Sequence, residues 1–349
     1  MRAWRVRAQD RKAATDAHEL EDPWGLRIKH QGGRVMSRLI QCAIVSGFFL
    51  TGAAAYPAEL WVDTTYTGVI HDGTETRPYK TINDAIGSAV SGDTVRVKPG
   101  VYEENVVIDN NLTLSGTGPD STLIVAQGGN AIRVGANFNA IIESFTVSQG
   151  SYGIYLERCT SAVSIGIRNV VSIANDNDGF KQEGGCTAQV AVRNCAFIAN
   201  GSCGVRANAN TTCTNTIATS NSLYGFAGTG VSGGDYVKVF FCDAWNNDGN
   251  NTDRASVVDS ISIDPEFIDP DTGDLRLSAS SQCRNAGTPD QAMRNPDGSR
   301  NDMGAYGGPY AAGFYNGYGS GPVVTDLHVT PGSVPLGGTI NITATGTAQ

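Results

Sequence analysis

The sequence predicts an all-β chain built as a parallel β-helix. An internal repeat, a composition suited to short strands and tight turns, and conspicuously few helical patterns carry that prediction. Among 349 residues, 43 are Gly and only 17% are charged, which favours strands and turns over amphipathic helices. Four segments align without gaps: "ESFTVSQGSYGI" (143–154), "NVVSIANDNDGF" (169–180), "NCAFIANGSCGV" (194–205) and "NTIATSNSLYGF" (215–226). A fifth segment at Phe241, "FCDAWNNDG", keeps the first half. The repeated Gly153, Gly179, Gly204 and Gly225 are 26, 25 and 21 residues apart, with Ala131 standing 22 before the first. Such a period, made of strand-like runs, suits one coil of a solenoid whose coils stack at about 4.8 Å.

From the N-terminus, residues 1–35 are polar, mixed in charge and without periodicity. They read as an over-extended start, with Met36 as initiator. Residues 36–55, "MSRLIQCAIVSGFFLTGAAA", pair Arg38 with an apolar run and end in small residues. This is the pattern of a secretory signal peptide cut after Ala55, with an uncleaved membrane anchor as the alternative. Residues 56–93 are expected to form an N-terminal cap. In "TINDAIGSAV" (81–90), Ile82, Ala85, Ile86, Ala89 and Val90 follow a helical spacing, with Thr81 and Asp84 placed as a capping box.

The coils are expected over 94–255. Gln149, Asn175, Asn200, Asn221 and Asn247 fall at one repeat position, where stacked carboxamides form a ladder; the Gly column marks a bend. Ile132, Ile154, Phe180, Val205 and Phe226, just after the Gly position, form an apolar column and should be core. Residues 256–309 lose the period and gain Pro and Asp, as a C-terminal cap would. Residues 310–322 are Gly-rich and read as a linker. Residues 323–349 hold two alternating runs that resemble the first strands of an immunoglobulin-like β-sandwich, too short to close alone.

Without residues 1–55 the chain has 16 basic and 29 acidic residues, net −13. That field repels nucleic acid and anionic membranes, so neither is an expected partner. A monomer is expected. Seven of eight Cys lie beyond residue 55, none at zinc spacing; Cys159 and Cys186 are the expected disulfide pair, with buried free thiols as the alternative.

Strand alternation points the residues two and four after each Gly outward. The resulting face carries Arg133, Tyr155, Lys181 and Arg206 in successive coils beside Glu157 and Glu183. In an acidic chain this basic stripe is the candidate surface for a uronate or other anionic sugar. One catalytic reading has Arg206 neutralise a uronate carboxylate while Lys181 removes the adjacent proton. Another pairs Glu157 with Glu183 as retaining glycosidases do, although both would then lie on one side of the sugar. Arg133 and Tyr155 would bind substrate. Asp176 and Asp178 are the candidate calcium ligands, although the EF-hand pattern fails at Ala174 and Gly185. The plainer reading of each is a solvated cross-strand pair or a turn former.

Two further stretches, "DGTETRPYKTINDAIGSAVSGDTVRVKPGVYEENVVI" (72–108) and "DPEFIDPDTGDLRL" with "NPDGSRNDMGAYGGP", resemble the opening and the end of secreted β-helix proteins of the pectin-lyase-like superfamily, which implies a right-handed, single-stranded parallel β-helix. The opening is also similar to pectin methylesterases, whose catalytic stretch Gly-x-x-Asp-Phe-Ile-Phe-Gly is missing, so that activity is set aside. "NDGFKQE" (177–183) resembles the Asp-Gly-Phe-x-x-Lys region of family-nine pectate lyases. That resemblance implies calcium held by Asp and a Lys base. There the next coil carries paired Asp near its Gly, where this chain has "NGSCGV". The expected partner is an extracellular polysaccharide, met at the cell surface or after secretion. Three classes follow: a polysaccharide lyase or hydrolase, a non-catalytic glycan-binding surface protein, and a structural or adhesive stalk.

Overall fold

The structure, a computed structural model, describes residues 58–230 and 236–315, and the strands Val323–Thr330 and Asn341–Thr347. The expectations for residues 1–35 and the signal peptide 36–55 lie outside the described residues. From Glu59 to Val258 the chain winds as a parallel β-solenoid with three faces. Face A is a seven-stranded parallel sheet running from Val106–Ile108 through Ile154–Leu156, Phe180–Gln182 and Val205–Ala207 to Asn250–Asp253. Face B begins with Glu59–Val62 and Thr94–Val97 and ends with Ala255–Val258. Face C holds Gly100–Tyr102, Thr122–Val125, Ala196–Ile198, Ile217–Thr219 and Asp243–Trp245, together with the second halves of Ala140–Ser148 and Ser164–Ile173.

Faces B and C belong to one sheet, creased by single residues in the left-handed region. Ser144, Asn169, Asn194, Asn215 and Phe241 stand there with φ of 48–65°. The short polar side chain of Asn tolerates that conformation better than most. A second left-handed corner, at Gln149, Ala174, Ala199, Ser220 and Asn246, turns face C into face A.

Immediately after this second corner runs the amide ladder. The Oδ1 of Asn200 accepts from both Nδ2 (2.9 Å) and the backbone N (3.2 Å) of Asn175. Asn221 does the same for Asn200, and Asn247 for Asn221. Gln149 is not a rung, contrary to its repeat position. The strands pair Ser148 with Ile173, which places Gln149 opposite Ala174 and Gly150 opposite Asn175. The ladder therefore ends with Gly150 N donating to Asn175 Oδ1 at 3.0 Å. One residue more in the Asn175 turn than in the Gln149 turn restores the repeat by Gly153 and hides the shift.

The Gly column answers to the same ladder. None of Gly153, Gly179, Gly204 and Gly225 has positive φ; what matters is space. A Cβ on Gly179 would stand 2.8 Å from both Asn200 Nδ2 and the Gly204 carbonyl oxygen. The residues that follow, Ile132, Ile154, Phe180, Val205 and Phe226, are fully buried and stack as the interior column.

Thr81 caps the helix Ile82–Ser88 by accepting from Asp84 N at 3.1 Å, and the Glu104 carboxylate accepts from Ile82 N and Asn83 N. Ile82, Ala85 and Ile86 are buried, while Val90, expected on the same face, is 61% exposed beyond the helix end. The segment read as a C-terminal cap runs along the flank of face C. There Leu275 and Ala305 pack on Val171, Ala196 and Ile198, and Asn169 Nδ2 donates to the Ala305 and Gly307 carbonyls. At the end of the last coil Val257 and Val258 remain 44% and 43% exposed.

The start of the expected linker is docked as well. Pro309–Ala311 forms a 3-10 turn, Tyr310 lies over the Arg168 guanidinium at 3.7 Å, and Tyr306 meets Phe314 edge to face. Strands Val323–Thr330 and Asn341–Thr347 pair antiparallel. Cys159 and Cys186 are both free, buried thiols in place of the expected disulfide, and the Cys159 thiol donates to the Glu157 carbonyl at 3.2 Å. Burial pushes the Cys159 thiol up to about 11.

Asp243, fully buried in the last coil, joins the solenoid to the flanking segment through Ile263 N (3.1 Å) and the Cys283 thiol (3.6 Å). Burial raises its carboxyl to about 7. Because the folded pKa is above the unfolded one, the folded state holds the extra proton between pH ~4 and ~7. Stability therefore falls as pH rises through that window. Relative to Asp243→Asn, the wild-type unfolding free energy should drop by about 1.4 kcal/mol per pH unit there and then level off. Urea titrations at several pH values measure this; parallel curves for the two proteins refute it.

Candidate functional site

Register along face A aligns the outward side chains one above another. Arg133, Tyr155, Lys181 and Arg206 are direct partners in successive strands, followed by Ala227. The predicted column is thus assembled, but its members are engaged with groups that the repeat did not reveal.

Arg133 reaches sideways to two carboxylates. Its Nη1 donates to Glu157 Oε1 at 2.6 Å and its Nη2 to Asp109 Oδ2 at 2.8 Å. Glu157 also accepts from Ala136 N. Glu183 accepts from the Tyr155 hydroxyl at 2.9 Å. Glu157 and Glu183 each have a neighbour of their own, and nothing sets them up as an acid and nucleophile facing across a sugar. Gln182, between Lys181 and Glu183, turns inward and is fully buried; its Oε1 accepts from Asn208 N and Thr211 Oγ1, which anchors the strand from behind.

Arg206 is held more tightly. Its Nε donates to both oxygens of Asp178 (3.3 and 3.1 Å), and its Nη2 donates to Ser202 Oγ and Cys203 Sγ. Asp178 also accepts from Cys203 N at 2.9 Å, and its side chain is 4% exposed. An ion pair this secluded is costly to break, since either partner alone would be left as an uncompensated charge.

This pair bears on two expectations together. Arg206 is not free to meet a substrate carboxylate, and Asp178 is not free to meet calcium. Asp176 is exposed on the same turn as Asp178, and among the described residues no group of three or more His, Cys, Asp and Glu gathers as a metal site. The residues do not fit a calcium centre.

Lys181 differs from its neighbours. Half-buried between Tyr155 and Arg206, its ammonium has no hydrogen bond or ion pair with the described residues. Beside it, Tyr152 and Tyr155 form a tilted aromatic pair with ring centroids 5.4 Å apart. Burial, the bond to Glu183 and the nearby carboxylates hold the Tyr155 phenol up at about 12, so it stays a donor. Tyr152 is raised for similar reasons, burial first and then the charges of Asp178 and Glu183. Sequence reasoning missed Tyr152 and Asp109. The signal for Tyr152 was present in "YGIY", where two Tyr flank the corner Gly. Face A thus offers one uncommitted cation and an aromatic pair beside charged side chains that are already engaged.

No family model matches the chain. A curated "Cell surface glycoprotein" of Methanothermus fervidus is 34% identical over 86 residues, which span 24% of this chain and 14% of that protein. Among solved structures, a pectin methylesterase in complex with a hexasaccharide is 13% identical with a TM-score of 0.38, covering 64% of this chain and 93% of its own. Pectate lyase Pel9A is 15% identical with a TM-score of 0.36, covering 72% and 96%.

Replacing Glu183 by Gln should lower the Tyr155 ionisation midpoint toward 10 without reaching it, because burial, the largest cause, remains. Ultraviolet phenolate titration of the two proteins measures the difference. An unchanged midpoint would show that Glu183 does not hold the phenol.

Proposed function

We propose that this chain is a surface or secreted protein that binds an extended, uronate-bearing glycan along face A without cleaving it. The observation that carries the reading is Lys181, a cation without a described partner in an acidic chain. A carboxylate on the glycan would supply the missing partner, while Tyr152 and Tyr155 offer an apolar surface to sugar C–H groups. The flat row of parallel strands suits a linear polymer that runs along the stack.

Location at the surface is supported by the signal-like residues 36–55 and by the partial likeness to a cell surface glycoprotein. We read the helix Ile82–Ser88 as the N-terminal cap of the solenoid, and the strands after residue 322 as part of an immunoglobulin-like module. No helix among the described residues is long and apolar enough to cross a membrane.

Binding is favoured over catalysis because the groups a lyase or glycosidase would use are committed elsewhere. Arg206 is occupied by Asp178, Glu157 by Arg133, and Glu183 by Tyr155. Lys181 alone keeps a lyase reading open, since an unpaired amine is what a proton-abstracting base requires.

Calorimetry with polygalacturonate and alginate separates these cases. Lys181→Ala should weaken binding about tenfold, the scale of one charge-assisted hydrogen bond, and leave the melting temperature unchanged because no internal partner is lost. Equal affinity for wild type and variant would refute the assignment. Unsaturated ends that accumulate with wild type and not with Lys181→Ala would replace the binding reading with the lyase reading.

A further inference from the structure

We infer that face B carries a second glycan site, a groove that accepts an acidic oligosaccharide. The groove is an open cavity of about 480 Å³ across the strands Leu112–Ser115, Ala140–Ser148, Ser164–Ile173 and Gln189–Arg193. This volume lies within the usual range for small-ligand sites. None of its strands contributes to face A, so the assignment does not depend on Lys181.

Register explains the depression. The outward column on face B reads Thr113, Ile141, Gly166, Ala191, Thr212 and Lys238, and the two smallest side chains are adjacent in its middle. Gly166 has no backbone reason to be Gly, since its φ is not positive. A Cβ there would meet only the Ile141 side chain, at 3.6 Å, which is ordinary contact. The space above Gly166 is therefore open, and Ile141 supplies one apolar end of the floor.

The two walls differ in chemistry. On one side the carboxamides of Asn111 and Asn139 step from coil to coil, with Asn139 N donating to Asn111 Oδ1 at 2.7 Å. On the other side Arg168 and Arg193 are register partners. Arg168 is fixed by Glu143 at 2.5 Å and by Tyr310 stacked on its guanidinium. Arg193 is exposed, and its guanidinium has no hydrogen bond or ion pair with the described residues. In a chain of net charge −9, a cation left unanswered at the wall of a cavity is complementary to an anionic ligand.

The choice of sugar over acidic peptide follows from the sheet. All four strands are paired on both sides, so an extended peptide finds no free strand edge to extend. A sugar needs none. It can lay its C–H face on Gly166, Ala191 and Ile141, direct hydroxyls to Asn111 and Asn139, and set a carboxylate on Arg193.

The test uses the full chain carrying Lys181→Ala, which weakens the face A contact about tenfold, and hexagalacturonate as the probe in calorimetry. Binding should persist in this background, be lost when Gly166→Phe fills the groove, and weaken about tenfold with Arg193→Ala. Fully methyl-esterified hexagalacturonate, which lacks the charge, should bind no better than hexagalacturonate binds the Arg193→Ala protein. Absence of binding in the Lys181→Ala background overturns the proposal, as does binding that neither groove substitution alters. Equal binding of the ester, or equal binding of hexaglutamate, overturns the ligand class. Arg193→Ala removes no internal partner, so the proposal remains testable even if the Phe variant folds poorly.

Discussion

The structure depends on one buried column of carboxamides. Asn175, Asn200, Asn221 and Asn247 each accept both a side-chain and a backbone N–H, except that Asn175 takes the Gly150 backbone N–H alone. Leaving such a buried group unpaired costs about 1–3 kcal/mol, and removing one rung orphans several at once. The column therefore fixes which residue of each coil stands over which residue of the next. It also excludes any side chain from the neighbouring Gly positions, where a Cβ would run into the ladder and the next carbonyl. Two columns of the repeat thus express a single constraint.

Once coil-to-coil register is fixed, the outward faces follow, because a one-residue slip would exchange interior and exterior side chains along a whole strand. Face A brings the charges of neighbouring coils within reach of one another, and most of them pair. Arg133 bridges two carboxylates, and Arg206 closes on Asp178 across coils. Pairing of this kind steadies the surface and removes those groups from chemistry. Lys181 on face A and Arg193 on face B stay uncommitted among the described residues, and a ligand can use them.

Much of this was legible in the sequence because a repeat projects three-dimensional stacking onto simple spacing. The solenoid, the interior column from Ile132 to Phe226 and four of the five ladder residues follow from it. Gln149 was misplaced because turn lengths between Ser148 and Gly153 and between Ile173 and Gly179 differ by one residue, and the alignment was anchored on the Gly. The Asp178–Arg206 pair was invisible for another reason. It links a turn residue of one coil to a strand residue of the next, and no spacing rule joins those columns. The groove on face B escaped because face B strands lie outside the aligned segments. The stretch 256–315 lacks the repeat, so its run along face C could not be read from periodicity.

The central claim is that the amide column, more than the surface pairs, holds the coils in register. Residue-resolved hydrogen exchange tests it most directly. The backbone amides of Gly150, Asn175, Asn200 and Asn221 all donate to ladder oxygens, and they should exchange together, only through global unfolding. Exchange of these four amides at the rates of unprotected turns, while the strand amides on either side stay protected, would contradict the account.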